Sequence, residues 1–100
     1  MTPEVILHAG GTAYIANTRY NNPDDILRLL PIANENDGTL IINDAGLNQH
    51  DLELIVGIAR SGNNLLILDD GHLSDSVVRV IKSRGANIAI NLSRPDYIPR

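Results

Sequence analysis

The sequence predicts an α/β domain with a mainly parallel sheet of about four strands, three helices and solenoid-like βα repeats, preceded by an N-terminal β-hairpin. Two observations carry this prediction. Helical patterns alternate with short apolar runs through most of the chain, which is typical of parallel sheets with right-handed crossovers. The apolar runs 40–43, 65–68 and 88–92 are continuous rather than alternating, as expected for strands that are covered on both faces.

The first helix has strong start chemistry. Asn22 can cap it, Pro23 suits its first position, and acidic residues follow where the helix dipole favours negative charge. Pro31 removes a backbone hydrogen-bond donor, so we expect the helix to end or kink near Leu30. The stretch through Asn36 is then a second short turn.

The second and third helices repeat this scheme and end at glycines. Glycine ends a helix readily because it adopts left-handed backbone angles at little cost, and Gly62 and Gly85 stand where the two helices should stop. Ser74 can cap the third helix. Spacings of three and four residues predict that one face of each helix is buried. These faces consist of Leu52, Ile55, Val56 and Ala59 in the second helix and of Val77, Val78 and Ile81 in the third.

We expect one domain, divided into an N-terminal hairpin (1–20), βα repeats (22–92) and an irregular tail (93–100). In the stretch EVILHAGGTAYIAN, two apolar runs flank a Gly-Gly pair. Such a pair between apolar runs is typical of a β-hairpin turn. A βα unit with a long loop is the alternative.

The strands can be ordered in two ways. They can follow one another in chain order with every helix on one face, or the order can reverse once and place helices on both faces, as in doubly wound folds. Leu40 and Leu66 lie 26 residues apart at matching places in two successive units. This near-repeat favours the first arrangement.

Composition restricts the function classes. The chain of 100 residues has 8 basic and 12 acidic residues, a formal charge of −4, and no basic cluster that could neutralise a phosphate backbone. It has no cysteine, which excludes disulfides and thiolate metal sites. No apolar run approaches the length that spans a bilayer. We therefore expect a cytoplasmic protein that binds neither nucleic acid nor membrane and attracts a basic protein most readily.

The segment LIINDAGLNQHDLELIVGIARSGNNLLILDDGHLSD resembles two successive leucine-rich repeats of the ribonuclease-inhibitor-like kind, in which L-x-L-x-x-N-x-L precedes a helix. The resemblance covers residues 38–92. The chain departs from the family at the asparagine position, which is occupied by Ala45 in one unit and Gly71 in the next. The resemblance implies a protein-binding scaffold without cofactor or catalysis. The leucine positions are held by Leu40, Ile42 and Leu47, and then by Leu66, Leu68 and Leu73.

Polar residues follow the apolar runs at matching places. Because the carboxyl ends of parallel strands meet at one edge of a sheet, these residues can form one binding row. The alternative is that Asn and Asp end the strands by bonding their own turn backbone, which is common turn chemistry. The row consists of His8, Asn43, Asp69 and Asn91, joined by Asp44, Asp70 and His72.

The strand-end acids raise the question of a metal. Asp44, Asp69 and Asp70 are oxygen ligands of the kind that Mg²⁺ takes, and the sequence ILDDG is similar to the acidic pocket of response-regulator receiver domains. That family places its acidic pair on the first strand and needs a lysine near the fifth, whereas Lys82 is the only lysine in this chain. We therefore assign no metal, no cofactor and no catalytic residue.

The remaining candidate surface is the sheet face that the helices leave open. If the helices pack against Leu40 and Leu66, then Ile41 and Ile67 face the other way, and such an apolar strip is rarely left in water. The tail, a second copy or another protein can cover it. The predicted partner-binding residues are Ile41, Asn43, Asp44, Ile67, Asp69, Asp70, His72 and Asn91.

These observations predict a non-catalytic protein–protein interaction module. One concrete form is a small acidic inhibitor or immunity-type protein that blocks a basic enzyme or toxin. The alternative is a small doubly wound enzyme or ligand sensor that binds a metal or a phosphate-bearing molecule at the carboxyl ends of the strands.

Overall fold

The computed structural model describes residues 1–59, 64–68 and 73–84, which form an α/β fold with a three-stranded parallel sheet and four helices. None of the helices within these ranges is long and apolar enough to cross a membrane. In chain order the elements are α1 (Pro3–His8), β1 (Thr12–Tyr14), α2 (Pro23–Asn36), β2 (Thr39–Asn43), α3 (Gln49–Ile58), β3 (Leu65–Leu68) and α4 (Asp75–Arg84).

The three described strands follow one another in chain order, β1-β2-β3, and both pairings are parallel. Ala13 pairs with Leu40, and Leu40 in turn pairs with Leu65. The chain order that the near-repeat favoured is therefore confirmed for these strands. The expected fourth strand, 88–92, and the tail, 93–100, lie outside the described residues.

The predicted N-terminal hairpin is wrong, because its first arm is the helix α1. Thr2 caps this helix by accepting a hydrogen bond from the Val5 N–H at 3.4 Å, and a proline occupies the first turn. The Gly-Gly pair ends the helix: the Gly10 N–H donates to the Leu7 carbonyl at 3.0 Å and the Gly11 N–H to the Ile6 carbonyl at 2.9 Å. This is the Schellman arrangement, with Gly10 at a left-handed φ of 76°.

The first long helix does not end near Leu30, and the stretch through Asn36 is not a separate turn, since α2 runs through Pro31 to Asn36. The Pro31 ring lies on the exposed side of the helix, where water can reach the carbonyl that loses its donor. On the opposite side Leu29, Leu30 and Ala33 are fully buried. Burying one leucine side chain contributes about 1.5–3 kcal/mol, so this side offsets the proline cost of about 3 kcal/mol.

The other two predicted helices are confirmed. Asn48 caps α3 by accepting from the Asp51 N–H at 2.8 Å, and Ser74 caps α4 by accepting from the Val77 N–H at 3.3 Å. The predicted stops at Gly62 and Gly85 lie outside the described residues. The predicted apolar positions Leu52, Ile55, Val56, Ala59 and Val77 are all buried.

A three-residue ion cluster joins α1 to α2 at the surface. Arg28 donates to Glu4 and to Asp25, each at 2.9 Å. The hydrogen bond from Arg28, followed by one from Asn22, holds the pKa of Asp25 below its usual range. Because all members are partly exposed, the cluster orients α1 more than it stabilises the fold.

The amino ends of β2 and β3 are joined by a buried side-chain amide. Asn64 is only 8% exposed, and its amide donates to the carbonyls of Gly38 at 2.8 Å and Ala33 at 3.2 Å. Its own main-chain carbonyl accepts from the Leu40 N–H at 2.9 Å. One residue thus links the end of α2, the turn that follows it and the first bond between β2 and β3.

Two glycines allow a matched test of how backbone conformation determines the effect of a substitution by alanine. Gly46 has a φ of 80° and Gly57 lies within α3, and an added Cβ at either position meets no atom within 4 Å. We expect Gly46→Ala to lower the free energy of unfolding by about 1 kcal/mol, because left-handed angles strain an L-residue. Gly57→Ala should raise it by about 0.5–1 kcal/mol, because alanine favours a helix. Urea denaturation measures both, and equal effects of the same sign would contradict this assignment.

Candidate functional site

The structure does not assemble the predicted strand-end row among the residues it describes. His8 lies in the last turn of α1, so it follows a helix and not a strand. Asn43 is the last residue of β2, and Asp44 follows it. The other members of the row, Asp69, Asp70, His72 and Asn91, lie outside the described residues.

Asn43 confirms the turn-chemistry interpretation at its position. Its side-chain carbonyl accepts from the Ala45 N–H at 2.7 Å, which is an Asx turn. Its main chain is paired by the side chain of Asn21, which accepts from the Asn43 N–H at 2.8 Å and donates to the Asn43 carbonyl at 3.1 Å. The Asn21 amide therefore continues the ladder of β2 beyond the end of β1.

Asp44 is not an exposed member of the predicted binding row. Its exposure is 0%, and it is engaged within the fold. The main-chain N–H of Asp44 donates to the Leu68 carbonyl at 3.3 Å, and its carbonyl accepts from the Leu47 N–H at 3.2 Å. A residue held in this way orders the turn after β2 and presents no carboxylate to a partner in this structure.

Metal-ligating side chains are not clustered in the described ranges, where no three histidine or acidic residues are placed together so as to hold an ion. The histidines His8 and His50 lie on different helices, α1 and α3.

The open face of the sheet carries one apolar row. Tyr14, Ile41 and Leu66 pair in register across the three strands. The Tyr14 side chain is 50% exposed, while Ile41 and Leu66 are partly buried. Because neighbouring strands are about 4.8 Å apart, the row extends over roughly 10 Å. It is bounded by the pair of Thr12 and Thr39 on one side.

The prediction that Ile67 lies on this face is wrong, and Leu66 takes its place. The register sets Leu40 beside Leu65 and Ile42 beside Ile67, so the two β3 residues are fully buried against the helices. The leucine-rich-repeat alignment had placed Leu66 beside Leu40. A shift of one residue in a strand moves each side chain to the other face. Ile41 does lie on the open face, as predicted.

Two residues that matter here were missed by the sequence reasoning, Tyr14 and Asn64. Tyr14 lies in the half of the predicted hairpin that does form a strand, but the sequence did not indicate that this strand pairs in parallel with β2 and brings Tyr14 beside Ile41. Asn64 had no signal in the sequence, because its role depends on carbonyls of α2 and of the turn before β2 that lie more than twenty residues away.

Comparisons of the chain with family models, with curated proteins and with solved structures gave no significant match. The site is therefore defined by its geometry: an apolar row on the open face of a parallel sheet whose other face is filled by helices.

Proposed function

We propose that this chain is a non-catalytic protein-binding module that uses the open face of its sheet. One observation carries the proposal: the row of Tyr14, Ile41 and Leu66 places three large side chains in register on the face opposite the helix-packed core. Parallel sheets are normally covered on both faces. Aromatic and aliphatic side chains at the centre of a surface are also the residues that contribute most to protein interfaces.

The proposed partner is basic. The chain carries a formal charge of −4, which favours the approach of a positively charged surface. Asp69, Asp70, His72 and Asn91 are proposed as polar contacts beside the apolar row; they lie outside the described residues, so this assignment depends on the sequence alone. A small acidic cytoplasmic inhibitor or immunity-type protein that blocks a basic enzyme or toxin is the concrete form that we propose.

A solenoid-like, leucine-rich-repeat-like architecture is part of the same proposal. The chain order β1-β2-β3 supports it, because a repeating βα unit adds each strand beside the previous one. We propose that 88–92 adds a fourth strand beyond β3 after the crossover through α4. The open face would then be one strand wider.

The alternative enzyme or ligand sensor requires a crevice at a reversal of strand order. The three described strands contain no reversal, since β2 lies between β1 and β3. This observation favours the binding module over the alternative.

Charge substitution on the row tests the proposed surface. We expect Leu66→Asp to weaken retention of a native-host protein by about tenfold or more, which corresponds to roughly 1.4 kcal/mol, because an acid cannot enter an apolar interface without losing its hydration. The measurement is affinity capture with the immobilised chain, followed by titration of the captured protein. Leu54→Asp is the matched control, since Leu54 is an exposed leucine on α3.

The two variants must first show the same circular dichroism as the unsubstituted chain. If both variants lose the captured protein equally, or if neither does, the open face is not the binding surface.

Thermal melting separates the module from the ligand sensor. We expect no change of the melting temperature with Mg²⁺, Mn²⁺ or nucleotides, because the proposed surface holds no small ligand. A ligand at 100 times its dissociation constant would add about 2.7 kcal/mol to the free energy of unfolding. A stabilisation that Asp69→Ala abolishes would favour the alternative function.

A further inference from the structure

The outer edge of β1 has unused main-chain hydrogen-bonding groups. β1 pairs with β2 through alternate residues: the Gly11 carbonyl accepts from the Thr39 N–H at 3.0 Å, and the Ile15 N–H donates to the Ile41 carbonyl at 2.9 Å. In a parallel ladder, the residues that alternate with those bonded to β2 point their N–H and C=O groups away from β2. The main-chain N–H and C=O groups of Thr12 and Tyr14 therefore point outward, away from β2. Within the described ranges no hydrogen bond reaches these outward groups.

A cavity of about 150 Å³ lies beside this edge. Pro3 and Ile6 of α1 form one wall, and Ala13 and Ile15 of β1 form another. Since Ala13 and Ile15 are the inward-facing side chains of the strand, the cavity is on the helix side of the sheet. Tyr14 of β1 and the loop that follows the strand also line it, and none of its lining residues comes from β2 or β3, so it lies at the edge strand of the sheet.

We propose that the outer edge of β1 binds an extended peptide segment of a partner protein, which adds a strand to the sheet and places one branched aliphatic side chain in the cavity. The main-chain groups of Thr12 and Tyr14 would supply the hydrogen bonds. This mode of recognition takes affinity from the main chain and specificity from a pocket for alternate side chains.

The geometry determines which side chains the segment should carry. Successive residues of an added strand point to opposite faces, so the neighbours of the residue opposite Tyr14 point toward the helix side. A cavity of 150 Å³ admits a group as large as benzene, so one leucine or isoleucine fits it.

The residue opposite Tyr14 is on the open face, beside a ring that is 50% exposed. A basic residue there can lie over the ring, and the chain charge of −4 favours it. The cavity side is less suited to a cation, because Arg19 already lies 5.0 Å from the centre of the Tyr20 ring, which also lines the cavity. The segment should therefore alternate aliphatic and basic residues.

This inference rests on the proposed function in one respect, namely that the chain binds proteins, but it uses the main-chain edge of β1 and the cavity, and it shares only Tyr14 with the open-face row. The probe is a blocked five-residue peptide that alternates leucine and arginine. The measurement is its titration into ¹⁵N-labelled protein, followed by amide chemical shifts. We expect the shifts to concentrate at Thr12 and Tyr14.

The hydrogen bonds are tested from both partners. Two further peptides carry N-methyl groups, one at its leucines and the other at its arginines. Only alternate residues of an added strand turn their N–H toward the edge, the arginines in an antiparallel strand and the leucines in a parallel one, so one of the two peptides should bind at least about tenfold more weakly. Tyr14→Pro removes the outward N–H while leaving the bonds to β2, and should also cost about tenfold or more. Tyr14→Ala keeps this N–H and loses only the ring, so its loss should be about two- to fivefold.

Any of three outcomes would overturn the proposed binding site at the edge of β1. Absence of binding, shifts confined to other residues, or equal affinity of both N-methylated peptides and the unmodified one would do so, and the last comparison does not require any variant to fold. A concentration-dependent dimer that Tyr14→Pro abolishes would assign the edge to a second copy of the chain instead. Leu66→Asp should leave peptide affinity unchanged, so failure of the edge site and failure of the open-face site are distinguishable.

Discussion

The buried amide of Asn64 is the constraint on which the rest of the structure depends. Its side chain is fixed by the carbonyls of Ala33 and Gly38, and its main chain by the Leu40 N–H. These three bonds hold β3 at one position along β2. A slip of β3 by one residue would move the buried Asn64 amide away from both carbonyls, and an unpaired buried amide is costly, so the slip would lose bonds as well as packing.

This position decides which apolar side chains become core and which remain at the surface. With Leu65 beside Leu40, Leu65 and Ile67 pack against the helices, and Leu66 joins Ile41 on the open face. The partner-binding surface proposed here is therefore a consequence of register. The β1 edge has a separate origin: β1 is the first strand of the sheet, and the segment before it forms the glycine-ended helix α1 rather than a strand that could pair with it.

Much of the helical structure and part of the sheet could be predicted because the signals are local. Asn22 and Ser74 act on amides three residues away, and the apolar runs of β2 and β3 are recognisable by composition. The helix α1 had the same kind of local signal at Thr2 and Pro3, which resembles the start of α2, but its short apolar run is as compatible with a strand as with a helix.

The surface residues could not be predicted in the same way. LLIL carries no alternation, so its facing depends on tertiary contacts such as the distant partners of Asn64, and the burial of Asp44 is likewise a tertiary effect.

The most direct test of the central claim is the free energy of unfolding of Asn64→Asp, measured by urea denaturation at neutral pH. This change keeps the shape of the side chain but turns a carboxylate oxygen toward the carbonyls of Ala33 and Gly38, so the account predicts a loss of about 3 kcal/mol or more. Asn17→Asp, at an exposed loop position, makes the same chemical change and should alter the free energy of unfolding by less than about 0.5 kcal/mol. Equal and small effects of the two substitutions would contradict the claim that Asn64 sets the register of the sheet.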